Sequence, residues 1–168
     1  MIVVVMGVSG AGKTTVGEAL ARRLGLEFLD ADDFHPPANV AKMAAAIPLD
    51  DADRRPWLDR LNAALSARSS AGKGAVLACS VLKEAYRTRL MTGIANARLV
   101  HLAGSIDFIR DRMRSRQHKY MPAALLASQF ATLELPRDAI TIDAALGVTE
   151  AVDRIAAALA TKGPARRP

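Results

Sequence analysis

The sequence predicts a three-layer α/β fold, in which helices cover both faces of a mostly parallel sheet of five strands. Short apolar runs alternate along the chain with segments whose apolar residues recur every three to four positions. The runs are continuous, as is typical of strands that are buried on both faces of a parallel sheet. A glycine-rich stretch follows the first run, at the carboxyl end of a strand where such sheets bind ligands.

The first strand and the first helix flank this glycine-rich stretch. Ile2–Met6 is an apolar, mostly β-branched run that ends at Gly7. Beyond the glycines, Thr14–Leu24 carries apolar residues at helical spacing, and Gly25 follows its last turn, where glycine commonly ends a helix. A strand–loop–helix unit is therefore expected at the start of the sequence.

The middle of the sequence predicts two further strands and three helices. Glu27–Leu29 is a short second strand, and Val40–Ala46 is a short helix. Trp57–Ala67 is a stronger helix because its large apolar residues fall on one side. Ala75–Cys79 is a third buried strand, and Lys83–Met91 returns as a helix.

The last third repeats the alternation of strands and helices. Arg98–Leu102 is a fourth strand, followed by a helix at Ile106–Arg116. Pro122–Phe130 is expected to be helical, since proline is favoured in the first turn of a helix. Ala139–Ile142 is the fifth strand, and Val148–Leu159 is the closing helix.

Length and charge bound the classes of protein that remain. The chain has 168 residues, of which 1–161 are expected to form one domain and 162–168 a basic, flexible tail. Lys and Arg number 23 and Asp and Glu 17, so the net charge of +6 excludes an acidic disordered chain and leaves small anions or nucleic acid as ligands. The single cysteine excludes an internal disulfide framework. No apolar stretch reaches the roughly 20 residues that span a bilayer, so a cytoplasmic location without a membrane partner is expected.

The charges are unevenly distributed. Residues 27–59 hold eight acidic and three basic side chains, whereas residues 110–119 hold five basic and one acidic. The basic residues lie near one helix and the tail, and no known nucleic-acid module is present, so we expect no nucleic-acid partner. Small anions are therefore the favoured ligands.

The glycine-rich stretch Gly7–Thr14 fits the phosphate-loop pattern G-x-x-x-x-G-K-[ST], and it stands between a strand and a helix as that pattern requires. Backbone N–H groups of such a loop and the following helix N-terminus bind phosphates. Lys13 is predicted to reach the β- and γ-phosphates of ATP, and the Thr14 hydroxyl to ligate Mg²⁺. The predicted nucleotide-binding residues are Gly7, Ser9, Gly10, Ala11, Gly12, Lys13, Thr14 and Thr15.

Acidic residues close the second strand. Asp30 and Asp32 are two positions apart, and alternation along an extended segment would place both carboxylates on one side. A carboxylate there can hold Mg²⁺ through water or accept a proton from a substrate hydroxyl. The alternative is that one of the three neighbouring acids, Asp33 included, caps the next turn.

Basic residues supply candidate electrostatic clamps. Lys83 and Arg87 lie four positions apart on one predicted helix, and Arg112 and Arg116 do so on another. Arg54 precedes a proline–tryptophan pair. Arginines and lysines at such positions can stabilise a transferring phosphoryl group or hold an acid. The alternative for any one of them is a solvated surface charge.

Several sequence blocks together carry a family resemblance. They are Gly7–Thr14, Asp30–Asp32 with His35–Pro36, Asn39–Met43, Pro48–Leu58, Ala78–Lys83 with Tyr86–Arg87, Ser128–Phe130, and Leu133–Glu134. In combination they resemble the short bacterial gluconokinases of the P-loop class, which are related to shikimate kinase and the nucleoside monophosphate kinases. The resemblance covers nearly the whole chain. It departs from the family at Ala31 and Ala46, where glycine is frequent, and at His118, which is displaced by one position.

The resemblance implies ATP-dependent phosphorylation of D-gluconate at its terminal hydroxyl and a nucleoside-monophosphate-kinase-like fold. It also implies a substrate flap at about 37–70, a lid at about 112–122, and a homodimer. With the residues above it leads to a set of hypothetical roles. The catalytic residues are Lys13, Asp32, Arg112 and Arg116; the substrate-binding residues are Asp32, His35, Arg54, Lys83 and Arg87; the Mg²⁺ residues are Thr14 and Asp30.

Two alternative functions and one alternative role for His35 stay open. A different small-molecule kinase, for shikimate or a nucleoside monophosphate, would share the phosphate loop and the lid. For His35, which precedes two prolines, the alternative is a structural turn residue. A non-catalytic nucleotide switch is less favoured, because the sequence lacks an Asn-Lys-x-Asp motif that reads a guanine base.

Overall fold

The computed structural model describes residues 1–45, 47–115 and 123–161. Its centre is a sheet of five parallel strands in the order β2-β3-β1-β4-β5. The strands are β1 (Ile2–Met6), β2 (Glu27–Asp30), β3 (Ala75–Ala78), β4 (Ala97–Ala103) and β5 (Ile140–Asp143). The predicted class is confirmed, and each strand lies within one residue of its predicted bounds at either end.

The helices confirm the predicted alternation but correct two starting points. They are α1 (Lys13–Leu24), α2 (Pro37–Ala44), α3 (Asp51–Ser70), α4 (Glu84–Met91), α5 (Ile106–Ser115), α6 (Ala123–Thr132) and α7 (Val148–Thr161). The short turn Ala31–Phe34 is a 3₁₀ helix. Helix α2 was expected to begin at Val40, and α3 at Trp57.

Capping explains why α2 and α3 start earlier than predicted. Pro37 occupies the first turn of α2, where its missing N–H costs nothing. At α3, Asp50 accepts a hydrogen bond from the N–H of Asp53, and Asp53 accepts one from the N–H of Asp50. This reciprocal cap satisfies two end groups and stabilises the start of a helix that contains Pro56, a residue unfavourable inside helices.

The sheet is buried on both faces, which establishes three layers. Alternate residues of β1 enter opposite cores, with Val3 and Val5 on one face and Ile2 and Val4 on the other. The first core includes residues of α1, α5 and α7, and the second includes Trp57, Leu61 and Leu65 of α3 with Leu90 of α4. All five residues of β1 are fully buried, as the continuous apolar run predicted.

The strand order places the site. Because all strands are parallel, the loops that follow β1, β2 and β3 leave the same edge of the sheet. This edge therefore gathers the phosphate loop, Asp30 and the segment that leads to Lys83. Within the described ranges, no helix is long and apolar enough to cross a membrane.

Candidate active site

The phosphate loop takes a shape that depends on its glycines. Gly12 has a φ of 96° and leads directly into α1, so a left-handed residue stands at the start of that helix. Gly7 has a φ of 151°, and a Cβ at this position would lie 2.9 Å from the carbonyl oxygen of Leu102. Side chains at these two positions would strain the backbone or collide with β4. The loop can therefore curl its N–H groups towards an anion at the N-terminus of α1.

Lys13 is held inside this loop. Its Nζ donates a hydrogen bond of 3.1 Å to the carbonyl oxygen of Val8. Desolvation by burial lowers the pKa of Lys13, although the neighbouring Cys79, Asp32 and Asp30 oppose the shift. Burial also raises the pKa of the Cys79 thiol to about 12, so that thiol stays protonated. An incoming phosphate would supply the anion that a desolvated ammonium group lacks.

Thr14 and Asp30 lie together at the start of α1. Thr14 Oγ1 donates a hydrogen bond of 3.1 Å to Asp30 Oδ2. A hydroxyl and a carboxylate are oxygen ligands of the kind that Mg²⁺ prefers, and Mg²⁺ commonly uses one or two such side chains besides phosphate oxygens and water. The pair therefore fits the predicted metal site in its chemistry. Thr15, the last predicted residue of the nucleotide site, is exposed in the first turn of α1.

The predicted geometry of Asp30 and Asp32 needs correction. Strand β2 ends at Asp30, and Asp32 lies in the 3₁₀ turn rather than in an extended segment. The Asp30 carboxylate caps that turn, since Oδ1 accepts from the N–H of Asp32 at 3.1 Å. The capping acid is therefore Asp30. The Asp32 side chain is 87% exposed, which leaves its carboxylate accessible to a substrate.

His35 is enclosed by its neighbours. Its ring stacks on Trp57 with centroids 4.5 Å apart, and its side chain is only 5% exposed. The Nε2 atom lies 3.9 Å from Asp32 Oδ1, while Asn39 Nδ2 lies 3.4 Å from Nδ1. Burial lowers the pKa of His35, which favours the neutral ring. This arrangement favours the structural alternative for His35, in which it supports the turn that carries Asp32; its direct contact with substrate stays a prediction.

Trp57 also holds the turn 31–34 in place. Its Nε1 donates a hydrogen bond of 2.8 Å to the carbonyl oxygen of Ala31, and the residue is buried. The turn 31–34 is thus tied to α3 across 26 positions of sequence. Sequence reasoning placed Trp57 only on the apolar side of a helix.

A cavity of about 300 Å³ lies between α3, the β3–α4 loop and α6. Its size falls at the lower end of pockets for small ligands. It is lined by Pro48, Leu49, Asp51, Arg54, Trp57, Ser80, Val81, Leu82, Lys83, Tyr86, Leu125, Ser128, Gln129 and Thr132. Two of the predicted substrate residues, Arg54 and Lys83, therefore share one cavity.

Charged groups of this cavity surround Tyr86. Lys83 Nζ lies 5.2 Å from the ring centroid, and the guanidinium carbon of Arg54 lies 5.7 Å from it. Lys83 Nζ also donates to the Asp51 carboxylate at 3.0 and 3.3 Å, and the Tyr86 hydroxyl donates to the same carboxylate. Asp51 and Tyr86 were not predicted as site residues. Tyr86 belongs to one of the sequence blocks that carry the family resemblance, one position before Arg87. Its spacing from other residues gives no sign of a functional role.

Arg87 lies away from the cavity lining. It is buried at 5% exposure, and Nη1 donates to the carbonyl oxygens of Val81 and Leu82 at 3.2 and 2.9 Å. Burial lowers the pKa of Arg87. These contacts hold the backbone of the loop that carries Lys83. The structure therefore favours a positioning role for Arg87 over the direct substrate contact that helical spacing suggested.

Gln129 joins the cavity to the phosphate loop. Its Oε1 accepts a hydrogen bond of 2.7 Å from the N–H of Ser9, and its Nε2 donates one of 3.0 Å to Ser9 Oγ. Gln129 also lines the cavity. The wall of the cavity and the phosphate loop are therefore in direct contact through one side chain.

Arg112 lies over the other side of the phosphate loop. Its Nη1 donates to the carbonyl oxygen of Ala144 at 2.8 Å, and a Cβ on Gly12 would stand 3.2 Å from Nη2. The guanidinium borders a second cavity, of about 390 Å³, with Phe108, Asp111 and residues 144–146. The structure thus places Arg112 beside the predicted phosphate site. Arg116 and His118 lie outside the described residues, as do most of the predicted lid and the whole predicted tail.

Known proteins resemble most of this chain in sequence. The family model of the AAA domain matches residues 2–136. A gluconokinase of Gluconobacter oxydans is 51% identical over 135 residues, which cover 80% of this chain and 76% of the relative. The thermosensitive gluconokinase of Escherichia coli is 42% identical over 144 residues, covering 83% of this chain and 77% of the relative.

Solved structures agree with these relatives. A gluconokinase from Sinorhizobium meliloti superposes with a TM-score of 0.83 at 41% identity, covering 94% of this chain and 90% of that one. A shikimate kinase from Acinetobacter baumannii superposes with a TM-score of 0.56 at 18% identity, over 95% of this chain and 93% of that one. The second likeness concerns the fold alone.

Proposed function

The chain belongs to the gluconokinase family, and from this membership we propose that it transfers the γ-phosphoryl group of ATP to the terminal hydroxyl of D-gluconate, giving 6-phospho-D-gluconate. The substrate would be a six-carbon polyhydroxy acid. It would need a cavity that offers positive charge for the carboxylate, hydrogen bonds for the hydroxyls, and access to the phosphate loop.

One observation supports this proposal most strongly. The cavity that holds Arg54 and Lys83 is bordered by Gln129, which hydrogen-bonds the phosphate loop at Ser9. The same cavity is bordered by Trp57, which stacks on His35 beside Asp32. A cavity with two cationic side chains is therefore connected to the phosphate loop through Gln129 and to the turn of Asp32 through Trp57 and His35, which supports transfer from ATP to an acidic alcohol.

The nucleotide side would act by electrostatic stabilisation. The loop N–H groups and Lys13 would hold the β- and γ-phosphates, and Arg112 would reach them from above Gly12. Arg116 keeps its predicted role as a second lid arginine. Mg²⁺, when bound near Thr14 and Asp30, would neutralise charge on the phosphate oxygens.

The acceptor side would supply the proton acceptor. The Asp32 carboxylate would orient the terminal hydroxyl and take its proton as that oxygen bonds to the γ-phosphorus and the bond to ADP breaks. Arg54 and Lys83 would hold the carboxylate at the far end of the substrate. His35 and Trp57 would keep the turn of Asp32 in place.

A parallel assay of acceptors tests the proposal. ADP release is measured with gluconate, 5-ketogluconate, shikimate and AMP at equal concentration, with a reaction lacking acceptor as the control. Gluconate is expected to give the fastest release, and 6-phosphogluconate is identified as the product. Rapid release with shikimate or AMP but not with gluconate would support the alternative small-molecule kinases and contradict the proposal.

The proposal extends to assembly, location and metal. We expect a cytoplasmic homodimer, as the resemblance implies, and Mg²⁺-dependent turnover. Light scattering of the purified chain tests the dimer, and chelation of Mg²⁺ tests the metal. A monomer at every concentration would contradict the first expectation, and full activity after chelation the second.

A further inference from the structure

Asp51 offsets the positive charge of Lys83 in the proposed acceptor cavity. Its carboxylate accepts hydrogen bonds from Lys83 Nζ and from the Tyr86 hydroxyl, and it lies in the lining of the cavity. These bonds hold the pKa of Asp51 below its usual range, the Tyr86 hydroxyl being the largest cause and Lys83 the next. Lys83 and Tyr86, two donors that line the cavity, thus already hold an anion that belongs to the chain.

The same donors suit the carboxylate of a substrate. A carboxylate has two oxygens that accept charge-assisted hydrogen bonds, and Lys83 with Tyr86 offers two donors side by side. Arg54 lies over the same tyrosine ring and adds a second cation. A substrate acid at this place would accept hydrogen bonds from the same two donor groups that Asp51 uses.

We propose that, in the absence of substrate, Asp51 occupies the carboxylate-binding position that Lys83 and Tyr86 form in the cavity, and that gluconate displaces it on binding. This inference rests on the proposed function and adds the residue that the substrate carboxylate must displace. A neutral polyol has no charge with which to compete for Lys83, and Asp51 would stay in place.

Displacing Asp51 from Lys83 costs little free energy because of where Asp51 lies. Its side chain is 62% exposed, compared with 34% for Lys83, so the released carboxylate returns to water. Asp51 is also the first residue of α3, where the helix dipole stabilises a negative charge without Lys83. An exposed ion pair of this kind contributes little to stability, which suits a contact that opens in each catalytic cycle.

Calorimetric titration of gluconate without ATP tests the proposal. The Asp51→Asn variant is expected to bind gluconate roughly two- to fivefold more tightly than the unaltered chain, the range for an exposed ion pair. Asp51→Glu keeps a competing carboxylate and is expected to bind like the unaltered chain. Asp59→Asn is the matched control, since Asp59 lies on the same helix but pairs with Arg89 outside the cavity.

D-Glucitol separates displacement from direct hydrogen bonding. This polyol resembles gluconate but carries a hydroxymethyl group in place of the carboxylate. Its affinity is expected to be equal for the unaltered chain and Asp51→Asn, or undetectable for both. Weaker binding of both ligands by Asp51→Asn would mean that Asp51 holds sugar hydroxyls, and equal tightening of both would mean that the gain is unrelated to charge; either result overturns the proposal.

The proposed function and the displacement of Asp51 are contradicted by different results. An unaltered chain that releases no ADP with gluconate overturns the proposed function. An unaltered chain that does turn over gluconate, together with unchanged or weaker gluconate binding by Asp51→Asn, overturns only the displacement of Asp51. Thermal unfolding verifies that the variants are folded, and Asp51→Ser, which also removes the charge, replaces the Asn variant if that one does not fold.

Discussion

Gln129 and Ser9 are joined by two reciprocal hydrogen bonds, although 120 positions of sequence separate them. The amide oxygen of Gln129 fixes a backbone N–H of the phosphate loop, and its amide nitrogen fixes the serine hydroxyl. Because Gln129 also borders the acceptor cavity, this pair determines how the loop and the cavity meet.

Gln129→Met is therefore expected to impair transfer. Methionine keeps the length of the side chain but makes neither hydrogen bond. Two bonds of about 0.5–1.5 kcal/mol each correspond to a loss of roughly 5- to 150-fold in kcat/KM. Steady-state ADP release measures the effect. Ala127→Ser, on the exposed part of the same helix, is the control. A variant with unchanged kinetics would show that the pair does not position the loop.

Asp32→Asn tests the proton acceptor. Asparagine preserves shape but cannot take the hydroxyl proton, so kcat is expected to fall by about 10²- to 10⁴-fold while ATP affinity changes little. Asp33→Asn, in the same 3₁₀ turn, is expected to remain active. Equal activity of the two variants would remove Asp32 from its role.

Arg112→Ala tests the lid arginine that lies over Gly12. If the guanidinium stabilises charge on the transferred group, the rate is expected to fall on the order of 10³-fold or more. Arg110→Ala is the matched control on α5, where Arg110 pairs with Asp107. Single-turnover measurements distinguish the outcomes: a change confined to the KM for ATP would assign Arg112 to nucleotide binding alone.

Lys13→Met is expected to weaken nucleotide binding and to raise the stability of the fold. Desolvation lowers the pKa of Lys13, so its charged form is less stable in the folded chain than in water, and removing the charge removes that cost. The melting temperature without nucleotide is expected to rise, by roughly 2–4 °C for each kcal/mol gained. Addition of Mg-ATP should raise the melting temperature of the unaltered chain but not of the variant. A lower melting temperature in the variant would contradict the prediction.

Asp53 links stability to acid pH. Hydrogen bonds from Lys42, at 2.7 Å, are the largest cause that lowers the pKa of Asp53, followed by the bond that the backbone N–H of Asp50 donates to its carboxylate. A depressed pKa stabilises the fold at pH above the ordinary value of 3.8, and the stabilisation is lost as the pH falls through the lower folded value.

Urea unfolding across this range measures the dependence. The unaltered chain is expected to lose stability between about pH 5 and pH 2, and Asp53→Asn to lose less of it. Lys42→Met removes the main partner of Asp53 and should flatten the curve in the same direction. Identical pH dependence in all three proteins would show that the Lys42–Asp53 pair does not contribute.

Local signals allowed much of the fold to be predicted. A strand that is buried on both faces must be continuously apolar, so β1 is visible in the sequence. The start of α3 was missed because the reciprocal cap of Asp50 and Asp53 outweighs the presence of Pro56, and the sequence alone does not rank these two effects. Asp32 follows the second strand as predicted, but it lies in a 3₁₀ turn rather than an extended segment, since the side chain of Asp30 caps that turn.

The parts of this protein that depend on local physics are predictable from the chain: the alternation of strands and helices, the phosphate loop, and the residues that follow each strand. Which of those residues come into contact is visible only in the folded molecule. Lys83 donates a hydrogen bond to Asp51 across 32 positions of sequence, and Gln129 pairs with Ser9 across 120 positions. No local sequence pattern predicts either contact. Such contacts depend on the strand order and on how the helices pack against the sheet, which follow from the burial of the whole core rather than from any one segment.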